Sequence, residues 1–256
     1  MLDKIQNAHR ERLVSSWGIR EDSKVLEIGC GQGDTTVALA RAVGKTGSVY
    51  GIDIASPDYG APETLGQARD RILNSEIGSR VEMHFNFDYK QFSSFQEGQF
   101  DYAVLSHCLW YFSSYDELLT LLTSLRGYCK NLCIAEWSPK ITLPQQLPHC
   151  KAAVIEAICE SFVDKSLSNI RTMFYPTDIE RAVKSSGWTI DKIGEIYSED
   201  MQDGIWEVDM VIEEYAQNIE ALPMPAKLKN LLLSQIDELR HAADIKPMPV
   251  FCLNAG

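Results

Sequence analysis

Short apolar runs that end in a glycine, serine or acid alternate with longer stretches of helical spacing through the first half of the chain. KVLEIG (24–29), SVYGID (48–53), VEMHF (81–85), FDYAVLS (100–106) and NLCIAE (131–136) predict strands. Between them, 34–44, 62–75 and 115–128 predict helices. Strands alternating with helices at this pace imply βαβ units, hence a mostly parallel sheet covered on both faces. The run Val25-Leu26-Glu27-Ile28-Gly29 suits a central strand buried on both sides.

Past Glu136 the rhythm changes. Pro139, Pro144 and Pro148 are expected to end regular structure over 138–149. Helical spacing returns at 150–163, with Ala153, Ile155, Ile158 and Phe162 on the apolar positions. Pro176-Thr177-Asp178 opens another helix that Gly187 closes. WTIDKIGEIYS (188–198) alternates as a strand, and MPVFCLNA (248–255) reads as a last short one. Residues 205–243 hold two helical patterns split by Pro223 and Pro225; the stripe Leu228, Leu231, Leu232, Gln235, Ile236 and Leu239 speaks first for core packing. The expected organisation is one domain, 1–256, with insertions at about 138–175 and 199–247 packed over the ligand-bearing edge of the sheet.

The strongest local signal is Glu27-Ile28-Gly29-Cys30-Gly31-Gln32-Gly33-Asp34, which follows a predicted strand and opens a helix near Thr35. In an open parallel sheet, ligands bind outside the carboxyl ends of the strands, where this turn lies. A dinucleotide site wants G-x-G-x-x-G facing a pyrophosphate. Here the spacing is G-x-G-x-G, and Glu27 and Asp34 would repel a pyrophosphate while favouring an ammonium and a sulfonium. No phosphate-loop lysine is present either. Asp53 ends the second strand, where a carboxylate can accept from both hydroxyls of a ribose. Asn86-Phe87-Asp88 follows the third: Asp88 can accept from an adenine amino group, and Phe87 or Ile54 can pack on the purine face.

Val25 to Thr36 (VLEIGCGQGDTT), Val49 to Asp53 (VYGID), Asp88, and Phe100 to Ser106 (FDYAVLS) together resemble the class I S-adenosylmethionine-dependent methyltransferases, over roughly residues 10–137. The resemblance implies an α/β fold: a seven-stranded, mostly parallel Rossmann-like sheet, its last strand inserted antiparallel, with helices on both faces and added cap helices. The trailing helix, sixth strand and seventh strand then fall at 177–186, 188–198 and 248–255. It implies S-adenosyl-L-methionine as cofactor, with Gly29, Cys30, Gly31 and Gly33 lining its methionine and ribose part. Glu27 would sit near the methionine ammonium, Asp53 would hold the ribose hydroxyls, Asp88 would meet the adenine amino group, and Ser106 with His107 would line the methionine end. The loop SPDYGAPETLGQA after Asp53 is longer than most, which leaves open whether Ser56 or Tyr59 also touches the cofactor.

Charge narrows the acceptor. The formal net charge is −12, and no cluster of Lys and Arg suited to phosphates appears, so nucleic acid is not an expected partner. No run approaches the ~20 apolar residues of a membrane span, and the charged start lacks the apolar core of a secretion signal. A cytoplasmic location with no membrane partner is expected. The seven cysteines are scattered, in no metal-binding spacing, and read as reduced and mostly buried. A small neutral or cationic molecule is the favoured acceptor.

Methyl transfer is an in-line displacement at an already activated carbon, so alignment matters most and a base is needed only if the acceptor must lose a proton. His107 is the candidate base, or else merely shapes the cofactor pocket. Glu136 can orient an amine or hydroxyl, or form a structural ion pair. Trp110, Tyr111, Trp137, Tyr175 and Trp206 are candidate acceptor contacts, with ordinary packing as the competing role. Gln6, His9, Arg10 and Arg12 on an N-terminal helix either close over the cofactor or form a solvated face, the latter preferred for the arginines. The acid set that holds magnesium in catechol-type relatives and the Asn/Asp-Pro-Pro-aromatic motif of base methylation are not evident, and no metal is expected. The expected activity is methylation of a small molecule on oxygen or nitrogen. The alternatives are a non-catalytic cofactor-binding or protein-interaction member of the fold, and, against the glycine spacing, a nicotinamide-dependent oxidoreductase.

Overall fold

The computed structural model describes residues 2–164 and 168–256, with side chains described from Lys4 onward. The chain runs α1 (Leu2–Trp17), β1 (Lys24–Ile28), α2 (Asp34–Ala42), β2 (Ser48–Ile52), α3 (Leu65–Leu73), β3 (Val81–His84), β4 (Phe100–Ser106), α4 (Tyr115–Leu125), β5 (Cys129–Trp137) and α5 (Leu147–Glu160). It continues through α6 (Pro176–Ser185), β6 (Ile190–Ile196), α7 (Asp203–Met210), the short α8 (Ala216–Asn218), α9 (Ala226–Leu239) and β7 (Val250–Ala255). All seven strands form one sheet in the order β3-β2-β1-β4-β5-β7-β6. The first five are parallel; β7 runs antiparallel to both β5 and β6. The sheet order reverses beside β1, which places the β1–α2 turn at the switch point where open α/β sheets bind ligands.

The predicted strands appear with ends shifted by a few residues. VLEI is buried throughout, as a strand covered on both faces must be. One prediction is corrected: Pro148 does not end regular structure but lies in the first turn of α5, where a missing N–H costs nothing. β3 stops at His84, and the chain then turns through Asn86 at φ 54°. Phe87 N donates to Asp53 O at 2.9 Å, which keeps the ends of β2 and β3 side by side.

Two apolar clusters result. The larger spans both faces of the sheet and includes Leu13, Leu26, Leu39, Leu105, Leu121, Ile134 and Leu253. The smaller joins α5, α7 and α9 through Ile155, Cys159, Val208, Leu232, Ile236 and Leu239. The stripe on α9 is thus partly core, while Leu231 stays 53% exposed. Between α7 and α8 the backbone passes through a π-helical turn at Val211–Tyr215. Among the described residues, no helix is long and apolar enough to cross a membrane.

Candidate active site

The β1–α2 turn is built from three glycines with left-handed backbones. Gly33, at φ 87°, caps α2, and a Cβ there would lie 2.4 Å from the Ile72 side chain, so only glycine packs. Gly31, at φ 50°, has no atom within 4 Å of where a Cβ would stand: this part of the turn borders open space. Asp53 ties the turn to β2, its Oδ2 accepting from Gly31 N and its Oδ1 from Ala55 N, each at 2.9 Å. Asp53 is half-buried, and its backbone carbonyl accepts from Phe87 N. Ile54 is 67% exposed, free to cover a planar ligand. Phe87 stacks on Phe95, centroids 5.7 Å apart. Asp88 caps the next turn through Lys90 N at 3.0 Å, with Lys90 Nζ 3.4 Å away.

Glu27 lies under the turn, 2% exposed, and accepts from Thr36 Oγ1 at 2.5 Å. Burial pushes its carboxyl up to about 8, against the opposing pull of the Thr36 hydroxyl and the Arg10 guanidinium. Ser106 is buried and receives Thr35 Oγ1 at 3.3 Å. Cys30 contributes its backbone to the turn. Its thiol packs towards Gly51 of β2, so only its backbone belongs to the turn, and burial raises its pKa well above the ordinary thiol value.

His107 follows β4 with φ 52°, a conformation that costs a non-glycine residue free energy and concentrates at functional sites. Its ring joins a buried chain: Ser198 Oγ lies 2.7 Å from His9 Nδ1, and His9 Nε2 lies 3.1 Å from His107 Nε2. His107 Nδ1, without a hydrogen-bond partner, faces Glu136 Oε1 at 3.7 Å. One tautomer series serves the whole chain: Ser198 donates to His9, His9 donates to His107, and His107 directs its Nδ1–H at Glu136. Burial lowers His9 to about 2 and His107 well below its ordinary value, so both rings are neutral. Glu136, pushed up to about 7 by burial, accepts from Trp137 N at 2.9 Å and Leu109 N at 2.8 Å.

Trp137 is 9% exposed and stacks with His9, while His107 and His149 tilt against its ring. Trp110 is a correction. It is 3% exposed with its indole N–H donated to Phe174 O at 3.0 Å, so it stands behind the site wall instead of facing a ligand. Tyr111 is 42% exposed although Tyr59, Glu207, Glu136 and Cys108 all act on its hydroxyl, as for a side chain projecting into a concavity. Tyr175 and Trp206 are 46% and 49% exposed.

Three acids escaped the sequence reading, and one cation departs from the solvated face preferred for it. Arg10 does not lie on a solvated face; its guanidinium turns inward among Asp34, Asp203, Glu27 and Glu136. Burial pulls its pKa below the ordinary value, against the pull of those acids. Its Nε and Nη1 are buried with no hydrogen-bond partner. Arg12, by contrast, is exposed as expected. Gln6 Nε2 donates to Asp203 Oδ2 at 3.1 Å and so joins α1 to α7. One turn along α7, Glu207 faces Glu156 of α5, and burial raises both. Glu156 Oε1 and Glu207 Oε2 have no donor among the protein groups, while a proton carried by Glu156 joins the two carboxyls through a hydrogen bond. The only early signal was the spacing of Asp203 and Glu207, four residues apart on one helix face. Among the described residues, no group of three or more His, Cys, Asp or Glu is arranged to hold a metal ion.

The open side of the turn at Gly31 and the buried, unpartnered Nε and Nη1 of Arg10 thus lie near the switch point of the sheet. Comparison with known proteins gives the family. A methyltransferase domain family model matches residues 25–131. The solved structure of a cyclopropane-fatty-acyl-phospholipid synthase-like protein from Lactobacillus casei is 32% identical, covering 99% of this chain and 91% of its own, with a TM-score of 0.90. Methyltransferase phomM of Diaporthe leptostromiformis is 25% identical over 87% of this chain and 68% of its own. A demethylmenaquinone methyltransferase of Staphylococcus aureus is 35% identical over 31% of this chain and 34% of its own. The chain belongs to the class I S-adenosylmethionine-dependent methyltransferases. It is an enzyme that takes its methyl group from S-adenosylmethionine.

Proposed function

We propose that the chain methylates a small molecule at a basic nitrogen, in a pocket that α5 and α7 complete as a cap over the carboxyl ends of the strands. The carrying observation is the pair of buried Glu156 and half-buried Glu207, each with a buried oxygen that no protein donor reaches, Glu207 lying near the projecting Tyr111. Sharing one proton, the pair retains a single negative charge, which suits one ammonium and offers nothing to an anion. Exposed Trp206 and Tyr175 supply aromatic faces for the remainder of such a molecule. An acceptor on oxygen would gain less from this wall, since a neutral hydroxyl needs no counter-charge.

S-adenosylmethionine, when bound, supplies a methyl carbon activated by its positive sulfur. Asp53 and Ile54 would hold the nucleoside and Glu27 the amino group, with Phe87 and Asp88 at the adenine and Ser106 lining the methionine end. Glu207 would take the proton that an ammonium must lose before its nitrogen has a lone pair to donate. The lone pair so freed would receive the methyl group, with S-adenosylhomocysteine as the leaving group and an N-methylammonium as the product. The neutral His9–His107 chain and Glu136 would hold the β4 turn and Tyr111 in place for this alignment, in which a small misplacement costs rate steeply.

The test is transfer of labelled methyl to three acceptor panels: primary and secondary amines, phenols and alcohols, and unsaturated phospholipid. Label in the amine panel, lost in Glu207→Gln with S-adenosylhomocysteine affinity intact, is the expected result. Label confined to the hydroxyl or lipid panel overturns the nitrogen assignment. Cofactor binding without transfer to any panel favours the non-catalytic alternative.

A further inference from the structure

The Arg10 guanidinium is the group in this site whose surroundings are least explained by the protein itself. Four side-chain contacts set the register of α1: Gln6 to Asp203, His9 to Ser198 and to His107, and Arg12 Nη1 to Tyr197 O at 3.2 Å. With α1 so held, Arg10 reaches in beneath the helix, where Asp34, Asp203, Glu27 and Glu136 surround it. Were Arg10 a plain counter-ion, it would rest on one of these carboxylates with its donors filled. Instead Nε and Nη1 are buried and unpartnered. Native proteins rarely leave such donors unsatisfied, because burying one without a partner is costly.

We infer that Arg10 binds the carboxylate of the methionine end of S-adenosylmethionine, while Glu27 and Asp34 face its ammonium. The inference rests on the cofactor reading of the glycine turn and adds the residue that recognises the amino-acid end. The charge pattern selects the ligand. A simple anion or a phosphate would meet one guanidinium among four acids and be repelled. A zwitterion places its carboxylate on the guanidinium and its ammonium among the acids, so every charge has an opposite neighbour. The open side of Gly31 leaves room for the chain that joins the two charges to the ribose. Because Arg10 lies on α1, the same contact links cofactor binding to the helix that Gln6 and His9 bind to the rest of the site.

The test is isothermal titration of wild type, Arg10→Gln and Arg10→Lys with S-adenosylhomocysteine and with methylthioadenosine, which has the nucleoside and sulfur but no amino-acid chain. Arg10→Gln should lose about 10- to 100-fold in affinity for S-adenosylhomocysteine, the scale of a hydrogen bond to a charged group. Its affinity for methylthioadenosine should be unchanged, which also certifies that the variant is folded. Arg10→Lys should recover part of the loss, because it restores the charge without the planar fork. Equal losses for both ligands would overturn the inference by showing that Arg10 only supports the pocket, and no loss for either would overturn it as well. Wild-type protein that binds neither ligand would instead sink the cofactor reading on which the inference stands.

Discussion

Replacing Glu27 by Gln should flatten the pH dependence of stability of the free enzyme. Glu27 is 2% exposed and its carboxyl is raised to about 8 by burial, against an ordinary 4.5. A raised carboxyl means that ionisation costs more in the folded chain than in the unfolded one. The stability it contributes is therefore full below pH 4.5 and is lost as pH rises through about 8. The span from 4.5 to about 8 corresponds to about 5 kcal/mol between the two limits. For a chain of this size, that is on the order of 10 °C in Tm. Gln keeps an oxygen for the Thr36 hydroxyl and removes the titration, so the difference between the two proteins isolates this group from Glu136 and Glu156. The assay is thermal unfolding at intervals from pH 5 to 9, with and without S-adenosylhomocysteine. Wild type should lose ground to Glu27→Gln as pH rises. The ligand, whose ammonium compensates an ionised Glu27, should shrink the gap selectively in wild type. Parallel pH profiles for the two free proteins would refute the reasoning.

Asp53→Ala removes the acceptor of Gly31 N and Ala55 N together with the candidate ribose contact. It should cost ~1–3 kcal/mol of S-adenosylhomocysteine affinity by calorimetry, and unchanged affinity would take Asp53 out of the site. Gly33→Ala places a Cβ 2.4 Å from Ile72 Cδ1 and 3.2 Å from Met83 Cε at φ 87°. Urea unfolding should show a loss of ~2–4 kcal/mol, and wild-type stability would contradict the packing described. Trp206→Ala, at a position 49% exposed on α7, should raise the acceptor KM while changing stability by less than ~0.5 kcal/mol. A fall in stability with KM unchanged would make it a packing residue only.

The strands and the glycine turn were legible in the sequence because each is a local pattern. An apolar run, a turn that needs positive φ at Gly29, Gly31 and Gly33, and acids at strand ends can all be read within a few residues. What escaped comes from long-range closure. Arg10 lies close in sequence to exposed Lys4, Glu11 and Arg12, and helical spacing in so polar a segment does not tell which charge turns inward. Its neighbours Asp203 and Glu136 are brought in by α7 and β5, more than a hundred residues away. Trp110 failed in the other direction. Its place after β4 suggested a ligand contact, but the segment ending at Phe174 folds over it and takes up its N–H. Cys30 sits inside the glycine turn, yet its thiol turns back towards Gly51.

The antiparallel β7 pairs with β5 on one side and β6 on the other, from Leu132↔Ala255 to Trp137↔Val250 and from Ile190↔Ala255 to Ile196↔Val250. During synthesis, the β5 edge therefore stays unzipped until residues 250–255 are available, although the first five strands precede them by more than a hundred residues. A nascent chain paused short of that point would expose a row of unpaired amides and carbonyls along Leu132–Trp137, the kind of edge on which chains aggregate.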